Sequence, residues 1–224
     1  MAFRNFLCLL GLTLFSMLGF AIANDPTAQS LTRQQSATIE SLKSEIVRLN
    51  QELDGTVGSR EELRTEVPIL EKKLAGQIAR GDVQVFLDAR GLVVRVLDHA
   101  LFDPDESQFT SAGEVILKEI SGVLSQDLPL NRVSLEGHTD NQPIEGGDGI
   151  TNWEYSIGRA SAVLHYFVDG QNLAPQRFGV VGFSEYRPVV ANTTEEGRDR
   201  NRRVEIVVLP QKIPGSPDEG RGAA

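Results

Sequence analysis

Between Ile39 and Leu74 the apolar residues fall at alternating steps of three and four: Ile39, Leu42, Ile46, Leu49, Leu53, Leu63, Val67, Leu70 and Leu74. Nine of the eleven a and d positions in this window are apolar, with Thr56 and Arg60 as the exceptions. That spacing lays one apolar seam along a helix and predicts a helical, coiled-coil arm over residues 37–80. The register survives Gly55 and Gly58, which fits one interrupted helix pair or a coiled coil, and Pro68 can kink it. Two uses of the seam stand open. It can be a solvated spacer that pairs with its own copy, giving a homodimer through residues 39–74, or a docking surface for a different partner.

After Gly81 the period changes from helical to alternating. Val83–Leu87 and Leu92–Leu97 are β-branched runs around Asp88-Ala89-Arg90-Gly91 and predict a hairpin or two adjacent strands. Ser111 with Glu114 reads as a capping box opening an amphipathic helix through Leu124. Arg132 to Glu136 reads as a strand running into Gly137. Thr151 with Glu154 is a second capping box, and the helix after it carries a stripe of Trp153, Ile157, Ala160, Leu164 and Phe167. Strands are expected at Phe178–Gly182 and Val204–Leu209. Elements of both kinds alternate across 83–209, which predicts an α/β sandwich with helices packed on one sheet. Residues 24–36 read as a polar linker, and 210–224, with no periodicity, as a disordered tail.

The first 23 residues carry an address. One positive charge, an apolar run from Phe6 to Ile22 and an Ala21-Ile22-Ala23 end are the parts of a secretory signal peptide. The alternative is an uncleaved anchor at the lower limit of length for a bilayer span. Either reading exports the rest of the chain. The charge sum, 22 basic against 31 acidic residues, argues against nucleic acid as a partner. A single cysteine, Cys8, rules out an internal disulfide and a Cys-rich zinc site, and His99, His138 and His165 are too scattered to suggest a metal centre.

The chemistry concentrates between Val133 and Ala162. Asp140 follows a strand, just past its C-terminal edge, where ligands commonly bind in α/β sheets. Asn152 and Arg159 stand seven residues apart and share a helix face, and the helical wheel puts Arg159 off the apolar stripe. A carboxylate grips an ammonium group and a guanidinium grips a carboxylate bidentately, so a free amino acid end would match both. Spacing alone leaves a second reading open, in which Asp140 and Arg159 pair with each other and pin loop to helix. Arg202 and Arg203, at the start of a strand, read as structural. No Ser or Cys nucleophile lies beside a His in a recognisable motif.

Gly137-His138-Thr139-Asp140-Asn141, Asn152-x-x-Tyr155-Ser156-x-x-Arg159-Ala160, Gly182-Phe183-Ser184 and Asn201-Arg202-Arg203-Val204-Glu205 occur in this order, preceded by Leu101-Phe102-Asp103. Together they resemble the signature of the OmpA-like C-terminal domain, a family that includes peptidoglycan-associated lipoproteins and the flagellar stator protein MotB. The resemblance covers about 90–209 and implies a βαβαββ fold, no catalysis and no cofactor. It further implies peptidoglycan as partner, with Asp140 and Arg159 holding the ammonium and carboxylate of the stem peptide's diaminopimelate. Asn152, Thr139, Phe102 and Asp103 would line the same groove. Two departures stand out: Tyr155 replaces the usual Leu, and the 141–151 loop is longer than in the lipoproteins and closer to the MotB-like branch.

The function expected from these residues is a non-catalytic tether between wall and envelope components, located in the periplasm or cell envelope, outer-membrane association included. The alternative is a MotB-like accessory component of a membrane or flagellar complex, held by an uncleaved N-terminal helix and partnered by an envelope membrane protein. Phe6 to Ile22 contains no carboxylate, which argues against proton conduction.

Overall fold

Alternating β-branched residues build the sheet, and their inward faces define the core. The structure, a computed structural model, describes residues 26–103, 108–144 and 150–211. The N-terminal address at 1–23, most of the expected tail and the middle of the 141–151 loop lie outside the described residues. Strands β1 (Val83–Leu87), β2 (Leu92–Leu97), β3 (Val133–His138), β4 (Phe178–Gly182) and β5 (Arg203–Val208) form one sheet in the order β1-β2-β5-β3-β4. Only β3 and β4 run parallel. Val94 and Val96 of β2, Val133 and Leu135 of β3, and Val204 and Ile206 of β5 face the same buried core. This is the mixed α/β sandwich that the alternating pattern predicts.

Helices fill that core from one side. Helix α1 spans Pro26–Lys73, α2 Ala75–Arg80, α3 Asp98–Leu101, α4 Ser111–Gln126, α5 Asn152–His165 and α6 Glu195–Asn201. From α4, Ile116, Leu117, Ile120, Val123 and Leu124 are buried. Its cap is Thr110 rather than Ser111: the Thr110 hydroxyl accepts the Gly113 N–H at 2.8 Å and donates to the Ala100 carbonyl at 2.9 Å. The box at Thr151 and Glu154 forms as expected.

The chain divides into two units, Met1–Asp54 and Gly55–Ala224. In the first, residues 26–36 are helical rather than a linker, and Ile39, Leu42, Ile46 and Leu49 are exposed. In the second, the heptad seam meets a different fate. Leu63, Leu70 and Leu74 are buried in the same core cluster as the sheet, with Val67 packed against it. The expected arm over 37–80 therefore ends early, and the seam beyond Leu63 is unavailable to a partner helix. Arg60, an exception to the heptad, instead secures the β1–β2 turn, donating to the Asp88 and Ala89 carbonyls at 3.0 and 3.2 Å.

Candidate functional site

Two glycines set the geometry of the site. Gly137 on β3 pairs with Gly182 on β4, and α5 crosses directly over them. A Cβ at Gly137 would sit 1.9 Å from the Ser156 carbonyl oxygen, and one at Gly182 would sit 2.5 Å from Ile157 Cγ1. The close approach lets the Ser156 hydroxyl donate to the Trp153 carbonyl at 2.9 Å and accept the Ser184 N–H at 3.2 Å. Ser184 carries φ of 51°, a left-handed conformation unusual outside glycine, and its carbonyl accepts the Thr139 N–H at 3.0 Å. Helix, strand end and following loop are thus bonded into one frame.

This packing turns the first turns of α5 away from the expected apolar stripe, while Ala160 and Phe167 of that stripe stay buried. Ser156, Arg159, Ala160 and Val163 are buried, while Trp153 and Ile157 are exposed. The expectation that Arg159 lies off the buried face is corrected. Glycine demands a small neighbour, which Ser156 supplies, and a helix anchored at Ser156 brings Arg159 inward one turn later.

Asp140 and Arg159 do not take each other as partners; each is held by a different opposite charge. Asp140, 4% exposed, accepts the Gln142 N–H at 2.8 Å and Arg202 Nη1 at 2.6 Å. Arg202 also bonds Glu195 at 2.9 Å and Asp199 at 3.2 Å. Burial works against its charge, but the bonds to Glu195 and Asp140 outweigh it and raise its pKa. Arg159, 8% exposed, sets Nε 3.0 Å from Asp98 Oδ1 and donates Nη2 to the Tyr155 hydroxyl. Its guanidinium lies 4.1 Å from the Phe102 ring centroid and 4.7 Å from that of Tyr155. Burial raises the Asp98 pKa although Arg159 and Arg202 pull it down. It also raises the Tyr155 phenol, which stays protonated as a hydrogen-bonding group. The Asp98 N–H donates to the Arg202 carbonyl at 2.9 Å, so the two ion pairs meet at one junction.

The other expected residues take distinct places. Asn152 touches Asp140: its Nδ2 donates to the carbonyls of Asp140 (3.3 Å) and Gln142 (3.1 Å) and to Glu185 Oε2 (3.3 Å). Its buried Oδ1 and the buried Thr139 Oγ1 have no hydrogen-bond partner among the described residues. Phe102 is buried, stacked on Phe109 at 5.0 Å, and forms a floor beneath Arg159 rather than a groove wall. Asp103 is exposed and makes none of the site's described bonds; its N–H donates to the Gln108 carbonyl. Sequence reasoning missed Asp98, which no spacing rule marks. It read Arg202 as structural, which its ion pairs fit, without placing it on Asp140.

A second charged cluster lies on the sheet face away from the core. Ligand atoms of Glu136, His138 and Glu205 fall within 4.8 Å of one another, close enough to hold a metal ion. The carboxylates are already bonded, however: Arg90 bridges Glu136 and Glu205, and Arg95 and Arg203 reach Glu205 at 2.9 and 2.8 Å. A cation would have to displace guanidinium groups, so the donor set does not fit one. Burial, helped by Arg203, pushes His138 down to about 3 and keeps it neutral.

The fold class is thus a mixed α/β sandwich that brings a carboxylate and a guanidinium, each oriented by a countercharge, to one edge. The comparisons give that class its family. Residues 101–202 match the OmpA family, and the chain belongs to it. Its members here are structural and non-catalytic. Motility protein B of Bacillus subtilis (strain 168) is 32% identical over 152 residues, 68% of this chain and 58% of that one. The peptidoglycan-binding protein ArfA of Mycobacterium tuberculosis (strain ATCC 25618 / H37Rv) is 37% identical over 107 residues, 48% of this chain and 31% of that one. Among solved structures, the cell wall anchor of the T6SS from Pseudomonas aeruginosa is 32% identical with a TM-score of 0.57, covering 65% of this chain and all of that one. The chain therefore spans between 31% and 58% of the length of these curated relatives.

Proposed function

We infer that this protein binds peptidoglycan non-covalently and tethers cell-envelope components to the wall. The observation that carries this reading is the pair of adjoining ion pairs, Asp140 with Arg202 and Asp98 with Arg159. A carboxylate has about four lone-pair sites, and the described bonds to Asp140 use two, leaving capacity for an ammonium group. A guanidinium clamped between Phe102 and Tyr155 is pre-oriented for a planar carboxylate. Diaminopimelate, with an ammonium and a carboxylate on one carbon, fits both. Relatives described as a cell wall anchor and as a peptidoglycan-binding protein support the same substrate class.

The similarity to motility protein B favours a second reading, an accessory component of a membrane or flagellar complex carrying the same wall grip. In both readings the exposed seam Ile39, Leu42, Ile46 and Leu49 serves self-pairing, over a shorter stretch than the full heptad pattern suggests. Periplasmic placement, with outer-membrane association, belongs to the first reading. The test is co-sedimentation of the full chain with purified sacculi. Wild type should pellet, and Asp140→Ala should stay in solution with its circular dichroism intact. A folded wild type that stays in the supernatant overturns the reading.

A further inference from the structure

Beside Asp140 the surface opens into a groove of about 340 Å³, lined among others by Pro143, Ile150, Asn152, Trp153, Glu185 and Tyr186. Its two aromatic rings face each other: Trp153 and Tyr186 stack at 5.5 Å with 28° between their planes. Both are solvent-exposed, Trp153 at 45% and Tyr186 at 67%. Neither serves the core. The turn that presents Tyr186 is fixed by the left-handed Ser184 and by the Tyr186 N–H donating to the Phe183 carbonyl at 3.1 Å. Two exposed aromatic rings stacked side by side make an apolar patch next to the candidate site, the kind of surface that marks a ligand groove.

We propose that this groove is a subsite for the glycan strand, in which an N-acetylhexosamine stacks on the Trp153–Tyr186 pair. The inference rests on the peptidoglycan reading and assigns it a sugar-binding part that the ion pairs do not supply. The chemistry selects this occupant. A pyranose ring presents an apolar face of C–H groups, which suits the electron-rich face of an aromatic ring. Its rim of hydroxyls and an acetamide needs hydrogen-bond partners, and Asn152, Thr151 and Glu185 stand at the groove's edge. Among the described residues the lining contains one carboxylate and no cationic side chain, so an uncharged ligand fits better than a phosphate or an acidic peptide. Asn152 is common to both sites: it lines the groove and bonds the Asp140 carbonyl.

Trp153 is the single tryptophan of the chain and reports on its own site. The full-length protein is titrated, with tryptophan emission recorded, against two fragments: the peptide-free disaccharide of N-acetylglucosamine and N-acetylmuramic acid, and the sugar-free tripeptide ending in diaminopimelate. The disaccharide should change emission saturably in wild type and in Asp140→Ala. Affinity should fall roughly tenfold in Tyr186→Ala, the scale of one aromatic contact. The tripeptide, followed by calorimetry, should behave oppositely, weakened by Asp140→Ala and indifferent to Tyr186→Ala. If sacculi pellet the protein but the disaccharide gives no saturable response, the subsite is refuted and the peptide grip stands. An equal response to maltose, or one unchanged in Tyr186→Ala, also refutes it. If neither fragment nor sacculi bind, the peptidoglycan reading falls with it.

Discussion

His138 offers a sharp test of the buried charge arrangement next to the site. Its ring is buried, stacked on Phe183 at 5.2 Å, and directly across the ladder from Arg203. Neither ring nitrogen has a hydrogen-bond partner among the described residues. Charging such a ring means placing a cation in a dry site beside a guanidinium, and burial first, then Arg203, lowers its pKa from 6.5 to about 3. The sign follows directly. The unfolded chain takes up a proton below pH 6.5 that the folded chain refuses until about 3, so stability is complete above 6.5 and drains away as pH falls. One proton is worth roughly 1.4 kcal/mol per pH unit, so from about pH 8.5, where both rings are neutral, down to 4.5 the loss is about 2.7 kcal/mol. The assay is urea denaturation of wild type and His138→Phe at half-unit intervals across that window. Phe keeps the stacking and cannot titrate. The difference in unfolding free energy between the two should shrink or reverse by about 2.7 kcal/mol toward pH 4.5. Parallel stability curves would refute the reasoning, since they would mean that the ring charges as easily folded as unfolded.

Other consequences are equally concrete. Gly137→Ala drives a methyl to 1.9 Å from the Ser156 carbonyl, a backbone clash that no side-chain rotation relieves. A loss of about 3 kcal/mol or more is expected, read as a fall in melting temperature, with wall binding lost as α5 lifts. Asp98→Ala removes the carboxylate 3.0 Å from the buried Arg159 Nε and should cost about 3 kcal/mol in chemical denaturation, more than Asp140→Ala, whose partner Arg202 is one-third exposed and keeps two other carboxylates. Simultaneous replacement of Ile39, Leu42 and Ile46 by Asp should convert a dimer of the full chain to monomer in sedimentation equilibrium without shifting the domain's melting temperature.

Much of the sheet was legible because alternation of β-branched residues is a local signal: the expected strands and β1–β5 differ by no more than a few residues at their ends. The heptad from Ile39 to Leu74 was equally plain, but periodicity does not say what a seam packs against. Here Leu63, Leu70 and Leu74 serve the chain's own core. Arg60, out of pattern for a coiled coil, was a usable hint. On α5 the hydrophobicity rule placed Ala160 and Phe167 in the core but missed on Trp153, Ile157 and Arg159, because it cannot see that glycines on two neighbouring strands force a serine inward and an arginine after it. The site itself was half visible. Asp140 and Arg159 could be named from motif residues, whereas their actual partners, Arg202 and Asp98, come from distant segments joined only by the pairing of β2, β3 and β5.

The most direct measurement is calorimetric titration of the full chain with two tripeptides that differ only at the third residue, diaminopimelate in one and lysine in the other. Lysine keeps an ammonium group but lacks the second carboxylate. Wild type should bind the diaminopimelate peptide about 10 to 100 times more tightly, the worth of a charged bidentate contact, and Arg159→Lys should erase that preference. Equal affinity of the wild type for both peptides would contradict the proposed grip.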